Sequence, residues 1–283
     1  MPYLQLTPDV RINYAIDDGT DPWTRPQSIV LIHGFAERIE AWRAWVPLLS
    51  RRYRVIRYDQ PGFGASSPVT SVSAFTTEGF VEAAARMIET HAGGAAHVIG
   101  AKSGGLIAIE LARTRPELVR SMTLASTPLD APNPGEWLGH MEAHGLRSWA
   151  QETMPPRMGS AMPPAGIEWW VDLMGGTALE TARAYMRWVS ALDVGKTLHE
   201  VHCPTLVLTT TSPRRAYSRS DIDVYRDRLA HAKVVALPGD GYHVAASYPD
   251  MCVPVVLDFL ASAEVARAAA RFLPQRGVSK ETS

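Results

Sequence analysis

Apolar positions recur along the chain with a period of two in some stretches and of three to four in others, and their order predicts an α/β protein. Tyr3 to Thr7 and Arg11 to Ala15 alternate and are parted by Pro8-Asp9, as in a hairpin at a sheet edge. Ser28 to Ile32 is a continuous apolar run of the kind shown by a strand buried on both faces. Trp42, Trp45, Val46 and Leu49 follow at helical spacing, then a strand over Tyr53 to Tyr58 and a helix over Phe75 to His91 through Phe80, Ala84, Met87 and Ile88. A further buried strand ends at Gly100-Ala101, and Gly104-Gly105-Leu106-Ile107-Ala108 opens a helix that Arg115-Pro116 breaks before the strand Ser121 to Ala125. Strands return at Cys203 to Leu208 and Lys233 to Leu237, and a last helix runs from near Pro249 through Val256, Phe259 and Leu260 to about Phe272. Strand alternating with helix is the pattern of a parallel sheet wrapped by helices.

One region departs from this alternation. Between about Asp130 and Asp193 lie Trp137, Trp149, Trp169, Trp170 and Trp188 and six of the ten methionines, in helix-like pieces punctuated by Pro155-Pro156 and Pro163-Pro164. This composition predicts a helical cap over 130–195, inserted into a core domain formed by 1–129 and 196–273, with a solvated tail over 274–283. No internal repeat is present.

Composition narrows the function classes without choosing among them. With 283 residues, 46% of them hydrophobic, the chain can bury one large core. Its 28 basic and 29 acidic residues form no basic block, so no nucleic-acid partner is expected. No apolar run is long enough to span a bilayer, and Met1-Pro2-Tyr3-Leu4-Gln5 lacks the build of a secretory leader, so no membrane partner and a cytoplasmic location are expected. Cys203 and Cys252 have no metal-like or redox spacing and read as core thiols.

The stretch with the strongest chemical content is His97 to Ala108. Its Gly100-Ala101-Lys102-Ser103-Gly104 follows the pattern G-x-nucleophile-x-G, which displays one side chain on a tight strand-to-helix corner, and the displayed residue is Lys102, with Ser103 one place late. Read as a phosphate-binding loop the stretch fails, because Ala96 and Ala101 occupy both required glycine positions. With no dinucleotide fingerprint and no metal-ligand cluster, a cofactor-free and metal-free pocket for a small-molecule substrate is expected.

Three stretches together resemble the α/β-hydrolase fold superfamily: Leu31-Ile32-His33-Gly34-Phe35, Tyr58-Asp59-Gln60-Pro61-Gly62-Phe63-Gly64-Ala65-Ser66, and the elbow with the helix behind it. The similarity runs from about residue 10 to 262 and implies a mostly parallel eight-stranded sheet flanked by helices, with a helical cap. It also implies an oxyanion hole made by the backbone N–H groups of Phe35 and Ser103, with Gly34 beside the substrate, and structural roles for His33 and Asp59. The three catalytic positions of the superfamily are all altered here. Lys102 stands at the serine position; Tyr242 stands where histidine is expected, with His243 next to it; and the loop after Leu206-Val207-Leu208 carries no carboxylate before Asp221.

Three readings of the site follow. Ser103 could serve a conventional triad with His243 and with Asp130 as the acid. Alternatively Lys102, desolvated beneath the tryptophan-rich cap, could act as an amine or base on a small, fairly apolar carbonyl compound, in ester, amide or carbon–carbon cleavage, decarboxylation or isomerisation, with His243 or Tyr242 moving the proton. Or Lys102 could pair with an acid such as Glu37 or Asp130 in a protein that binds a ligand without turning it over. Trp137, Trp169, Trp170 and Trp188 are the substrate-facing candidates in the cap. The lysine-centred enzyme is the preferred expectation, because an ammonium is costly where a small hydroxyl belongs.

Overall fold

The computed structural model describes residues 2–68, 75–129, 134–211, 219–229 and 231–272. Eight strands form one sheet in the order β1-β2-β4-β3-β5-β6-β7-β8. They are β1 (Tyr3–Thr7), β2 (Val10–Asp17), β3 (Ser28–Ile32), β4 (Arg54–Tyr58), β5 (Ala96–Ala101), β6 (Val119–Ala125), β7 (Thr205–Thr210) and β8 (Ala232–Leu237). β1 and β2 pair antiparallel at one edge, β2 pairs antiparallel with β4, and every pairing from β4 to β8 is parallel.

The apolar run of β3 shows why the sheet lies at the centre. Val30 and Ile32 pack with Phe80, Leu106 and Trp149 on one face, while Ile29 and Leu31 pack with Trp42, Trp45 and Leu260 on the other. Alternate side chains of a strand point to opposite faces, so a strand covered on both sides has to be apolar throughout.

The helices are α1 (Val46–Leu49), α2 (Thr77–His91), α3 (Gly104–Thr114), α4 (Pro134–Met158), α5 (Pro164–Gly175), α6 (Leu179–Ser190), α7 (Val194–Thr197), α8 (Arg219–Arg228), α9 (Val244–Ser247) and α10 (Pro249–Phe272). Two details differ from expectation. The helix expected over Trp42 to Leu49 is instead a 3-10 turn, Ile39–Trp42, followed by the single turn of α1, because burial of Trp42 and Trp45 sets the local path. In α4, Pro155 and Pro156 lie inside the helix, and the break comes at Gly145, whose φ of 82° is accessible to glycine at little cost.

Helices α4 to α6 stand between β6 and β7 in sequence and are tied to the loops at the C-terminal ends of the strands. Thr181 Oγ1 donates to the Gly62 carbonyl at 3.1 Å, Trp188 Nε1 to Thr77 Oγ1 at 3.1 Å, and the His243 N–H to the Arg157 carbonyl at 3.0 Å. Crossovers leave β3 in one direction toward β4 and arrive at β5 on its other side. The loops after β3 and β5 therefore meet at the switch point of the sheet, the place where open α/β sheets form crevices.

Candidate active site

At this switch point the backbone is held in conformations that side chains other than glycine seldom adopt. Ala36 after β3, Lys102 after β5 and Ser126 after β6 have φ of 59°, 54° and 54°. Each such residue costs on the order of 1–3 kcal/mol, and strain of this kind collects at functional sites. The Lys102 N–H donates to the Ala125 carbonyl at 2.9 Å and its carbonyl accepts from Gly105 N–H at 3.0 Å, which fixes the corner. Small residues are required around it. A methyl group on Gly104 would run into the His33 and Ile32 carbonyl oxygens, and one on Gly100 would lie 2.6 Å from the Gly105 Cα.

Lys102 is thus the residue displayed at the apex, while Ser103 has already entered helical geometry, with φ −67°. The Lys102 side chain keeps some solvent contact, and its Nζ lies 3.9 Å from the centroid of the Tyr242 ring. Burial of most of the side chain, aided by the nearby Arg157 charge and opposed by Glu37, holds the amine well below the ordinary lysine value. Among the described residues Lys102 forms no ion pair.

His243 is buried and hydrogen-bonded through Nε2 to Glu37 Oε1 at 2.7 Å. The other Glu37 oxygen accepts from the Gly34 N–H at 2.9 Å. Burial works to raise the Glu37 pKa, but the attraction and hydrogen bond of His243, together with the Gly34 N–H, outweigh it and keep the carboxyl below its ordinary value. A carboxylate on Nε2 places the proton there and leaves Nδ1 as the lone-pair nitrogen. That Nδ1 is buried without a partner among the described residues. The His243 ring also packs against Trp170, with centroids 5.2 Å apart. Glu37, expected from the sequence only as a partner for Lys102, is bonded to His243 from 206 residues away. In the sequence Glu37 is marked only by its place three residues after Gly34, in the loop that follows the buried run Ser28–Ile32, which does not name its partner.

Ser103 is engaged elsewhere. Its Oγ accepts from the Phe35 N–H at 3.0 Å and lies near Tyr185. One of the two expected oxyanion donors is therefore occupied by the serine hydroxyl, while no hydrogen bond from the Ser103 N–H is present among the described residues. The Phe35 ring packs against Phe63, Trp149 and Tyr185. Gly34 closes on the lysine: a methyl group there would lie 3.0 Å from Lys102 Cβ and 3.2 Å from Glu37 Oε1. His33 is fully buried and holds the loop, accepting from the Gln60 N–H through Nε2 at 3.0 Å with Nδ1 2.8 Å from the Gly34 carbonyl. Asp59 accepts from Asn13 Nδ2, Ile39 N–H and Ala65 N–H, a purely structural set of contacts.

The tryptophans divide. Trp137 and Trp149, packed edge-to-face, both lie against the Arg157 guanidinium, and Trp170 meets His243. Trp169 instead stacks with the exposed Arg43, and Trp188 is core, packed on Phe80 and Tyr185 with its N–H on Thr77. Asp130 and residues 212–218 of the loop after β7 lie outside the described residues. Cys252 is buried, with its thiol pushed up to about 12 by desolvation, and Cys203 is half-buried. Among the described residues no group of three His, Cys, Asp or Glu side chains could hold a metal ion, and no helix is long and apolar enough to cross a membrane.

Comparison with known proteins agrees with this architecture. The family model described as alpha/beta hydrolase fold matches residues 27–155. An enol-lactonase from Burkholderia xenovorans superposes with a TM-score of 0.81 at 22% identity, over 92% of this chain and all of the other. The chain has the α/β-hydrolase fold. Among curated relatives, a pimeloyl-[acyl-carrier protein] methyl ester esterase of Methylococcus capsulatus is 39% identical over 44% of this chain and 46% of its own length. An (E)-2-((N-methylformamido)methylene)succinate hydrolase of Acinetobacter baylyi is 23% identical over 79% and 86%. The chain thus spans about half of the first and most of the second.

Proposed function

We propose that this α/β-hydrolase-fold protein is an enzyme that cleaves a small, largely apolar carbonyl compound, with Lys102 as the reacting group beneath a cap formed by α4 to α6. The observation that carries the proposal is the display of Lys102 at the elbow apex, φ 54°, with its amine on the Tyr242 face and no carboxylate paired to it among the described residues. A lysine held below its ordinary pKa supplies neutral amine, which can add to a carbonyl carbon or take a proton beside one. Charge developing on the substrate oxygen would meet the Ser103 N–H and, once the Ser103 hydroxyl yields its place, the Phe35 N–H. His243, with its tautomer set by Glu37, offers Nδ1 as the proton acceptor. The esterase and hydrolase names of the relatives support a hydrolytic outcome over decarboxylation or isomerisation. A conventional serine mechanism is disfavoured because His243 Nε2 is bonded to Glu37 and the Ser103 hydroxyl to Phe35.

The test is a panel of small aryl esters, amides and 1,3-diketones. Lys102→Met should abolish turnover at unchanged thermal stability or better, whereas Ser103→Ala should retain it and a fluorophosphonate probe should not label the protein. Full activity in Lys102→Met sinks the proposal. Labelling that depends on Ser103 restores the serine mechanism.

A further inference from the structure

Arg157 sits over the elbow in an arrangement that the reading above does not use. Its side chain is only 6% exposed. The guanidinium lies against two indoles that pack edge-to-face on each other, its central carbon 4.9 Å from the Trp137 ring and 4.5 Å from that of Trp149. Among the described residues its side chain has one weak polar contact, from Nη1 to the Met154 sulfur at 4.0 Å, and Nε and Nη2 have no hydrogen-bond partner. No carboxylate pairs with it among the described residues. The residue belongs to the site: its carbonyl accepts the His243 N–H, Trp149 packs on Phe35, and its charge is felt by Lys102.

A cation removed from water and left unpaired is expensive, and folded proteins keep such groups paired. Here the missing partner is specified by geometry. Nε and Nη2 share one edge of the planar guanidinium, and that edge accepts the two oxygens of a carboxylate as parallel hydrogen bonds. The two tryptophans cover the guanidinium on one side, and Arg presents those donors in a rigid plane in a way a lysine would not.

Building on the lysine-centred reading, we propose that Arg157 is a carboxylate subsite, so that the substrate is a carbonyl compound whose apolar body carries a carboxylate held by Nε and Nη2 of Arg157 while its carbonyl meets Lys102. The binding energy of the carboxylate then orients the reacting carbon, a role remote from the bond that breaks.

Titration calorimetry on the full chain separates this from the catalytic proposal, because it reads binding of a compound that cannot turn over. The probes are 3-phenylpropanoate and its neutral isostere 3-phenylpropanamide, compared at about neutral pH and low salt. The carboxylate should bind at least about ten-fold tighter than the amide to the unaltered protein, roughly the discrimination of a charge-assisted bidentate pair. Arg157→Met should bring the two within about two-fold, and Lys102→Met should keep the preference. Arg157→Lys, which keeps the charge and the aliphatic stem but loses the fork, should weaken carboxylate binding by about five-fold or more and leave the amide unchanged; it carries the test if Arg157→Met does not fold. Equal affinities in the unaltered protein, a preference that survives both Arg157 variants, or one that vanishes in Lys102→Met instead would overturn the subsite. Loss of turnover in Lys102→Met alongside equal affinities would leave the catalytic reading standing and remove only this one.

Discussion

At the scale of single residues, the site is a set of groups whose partners explain their states. Lys102 makes a linkage prediction. In the unfolded chain it titrates near its ordinary value of about 10.5, and in the folded protein burial moves it lower. Between the two values the unfolded chain binds more protons, so folding stability should rise with pH across that window and level off above about 10.5. Urea midpoints from about pH 7 to about pH 10 should therefore climb in the unaltered protein more than in Lys102→Met, and parallel profiles would contradict the burial of the amine. Glu37 makes a second one. Glu37→Gln keeps the size but removes the charge that orients and supports His243, so kcat should drop about 100- to 10,000-fold with KM little changed. The acid limb of the pH–rate profile should move as well, which a purely structural loss would not do. Both oxygens of Glu37 are committed, one to His243 and one to the Gly34 N–H, so the same substitution tests how firmly the loop after β3 is held.

At the scale of elements, the elbow works because strand β5 and helix α3 approach closely enough to force Lys102 into the left-handed region. The glycines are what permit it. Gly104→Ala would thrust a methyl group into the His33 and Ile32 carbonyl oxygens, which are part of the sheet and its loop and cannot swing aside as a side-chain tip could. The expected cost is about 1–3 kcal/mol, or several degrees in Tm, measured by thermal unfolding; a neutral Gly104→Ala would mean the corner is looser than described. At this level the sequence was a good guide. Ser28 to Ile32 and the glycines of the elbow carry their structural meaning locally, in an unbroken apolar run and in a spacing that few other conformations need. Trp42 and Trp45 misled for the opposite reason. Their spacing suits a helix, yet T-shaped packing between them and the hydrogen bond from Trp45 Nε1 to the Ala245 carbonyl at 2.7 Å decide the local path from a distance.

At the scale of the molecule, the inserted helices and the loops at the C-terminal ends of the strands make one surface of contact. Trp149 packs on Phe35, Thr181 bonds to Gly62, and Asp240 accepts from the Ser160 N–H at 2.9 Å. This contact converts α4 from a run of tryptophans and methionines into the element that sets Arg157 over the elbow and binds the His243 backbone. It also divides the tryptophans by role. Trp188 joins the core and Trp169 turns to Arg43, while Trp137, Trp149 and Trp170 border the charged groups of the site.

By itself the sequence determined the sheet, its covering helices, the helices between β6 and β7, and the display of a lysine at the tight corner after β5. These follow from periodicity and glycine spacing, which act within a dozen residues and so can be read from neighbours alone. The tertiary structure decided which groups stand around the lysine. Glu37 meets His243 across 206 positions, the Phe35 amide is taken by Ser103 across 68, and Arg157 lies against the paired Trp137 and Trp149 only once the chain has folded. Such pairings depend on where the fold carries each segment, and no local pattern in the chain encodes that.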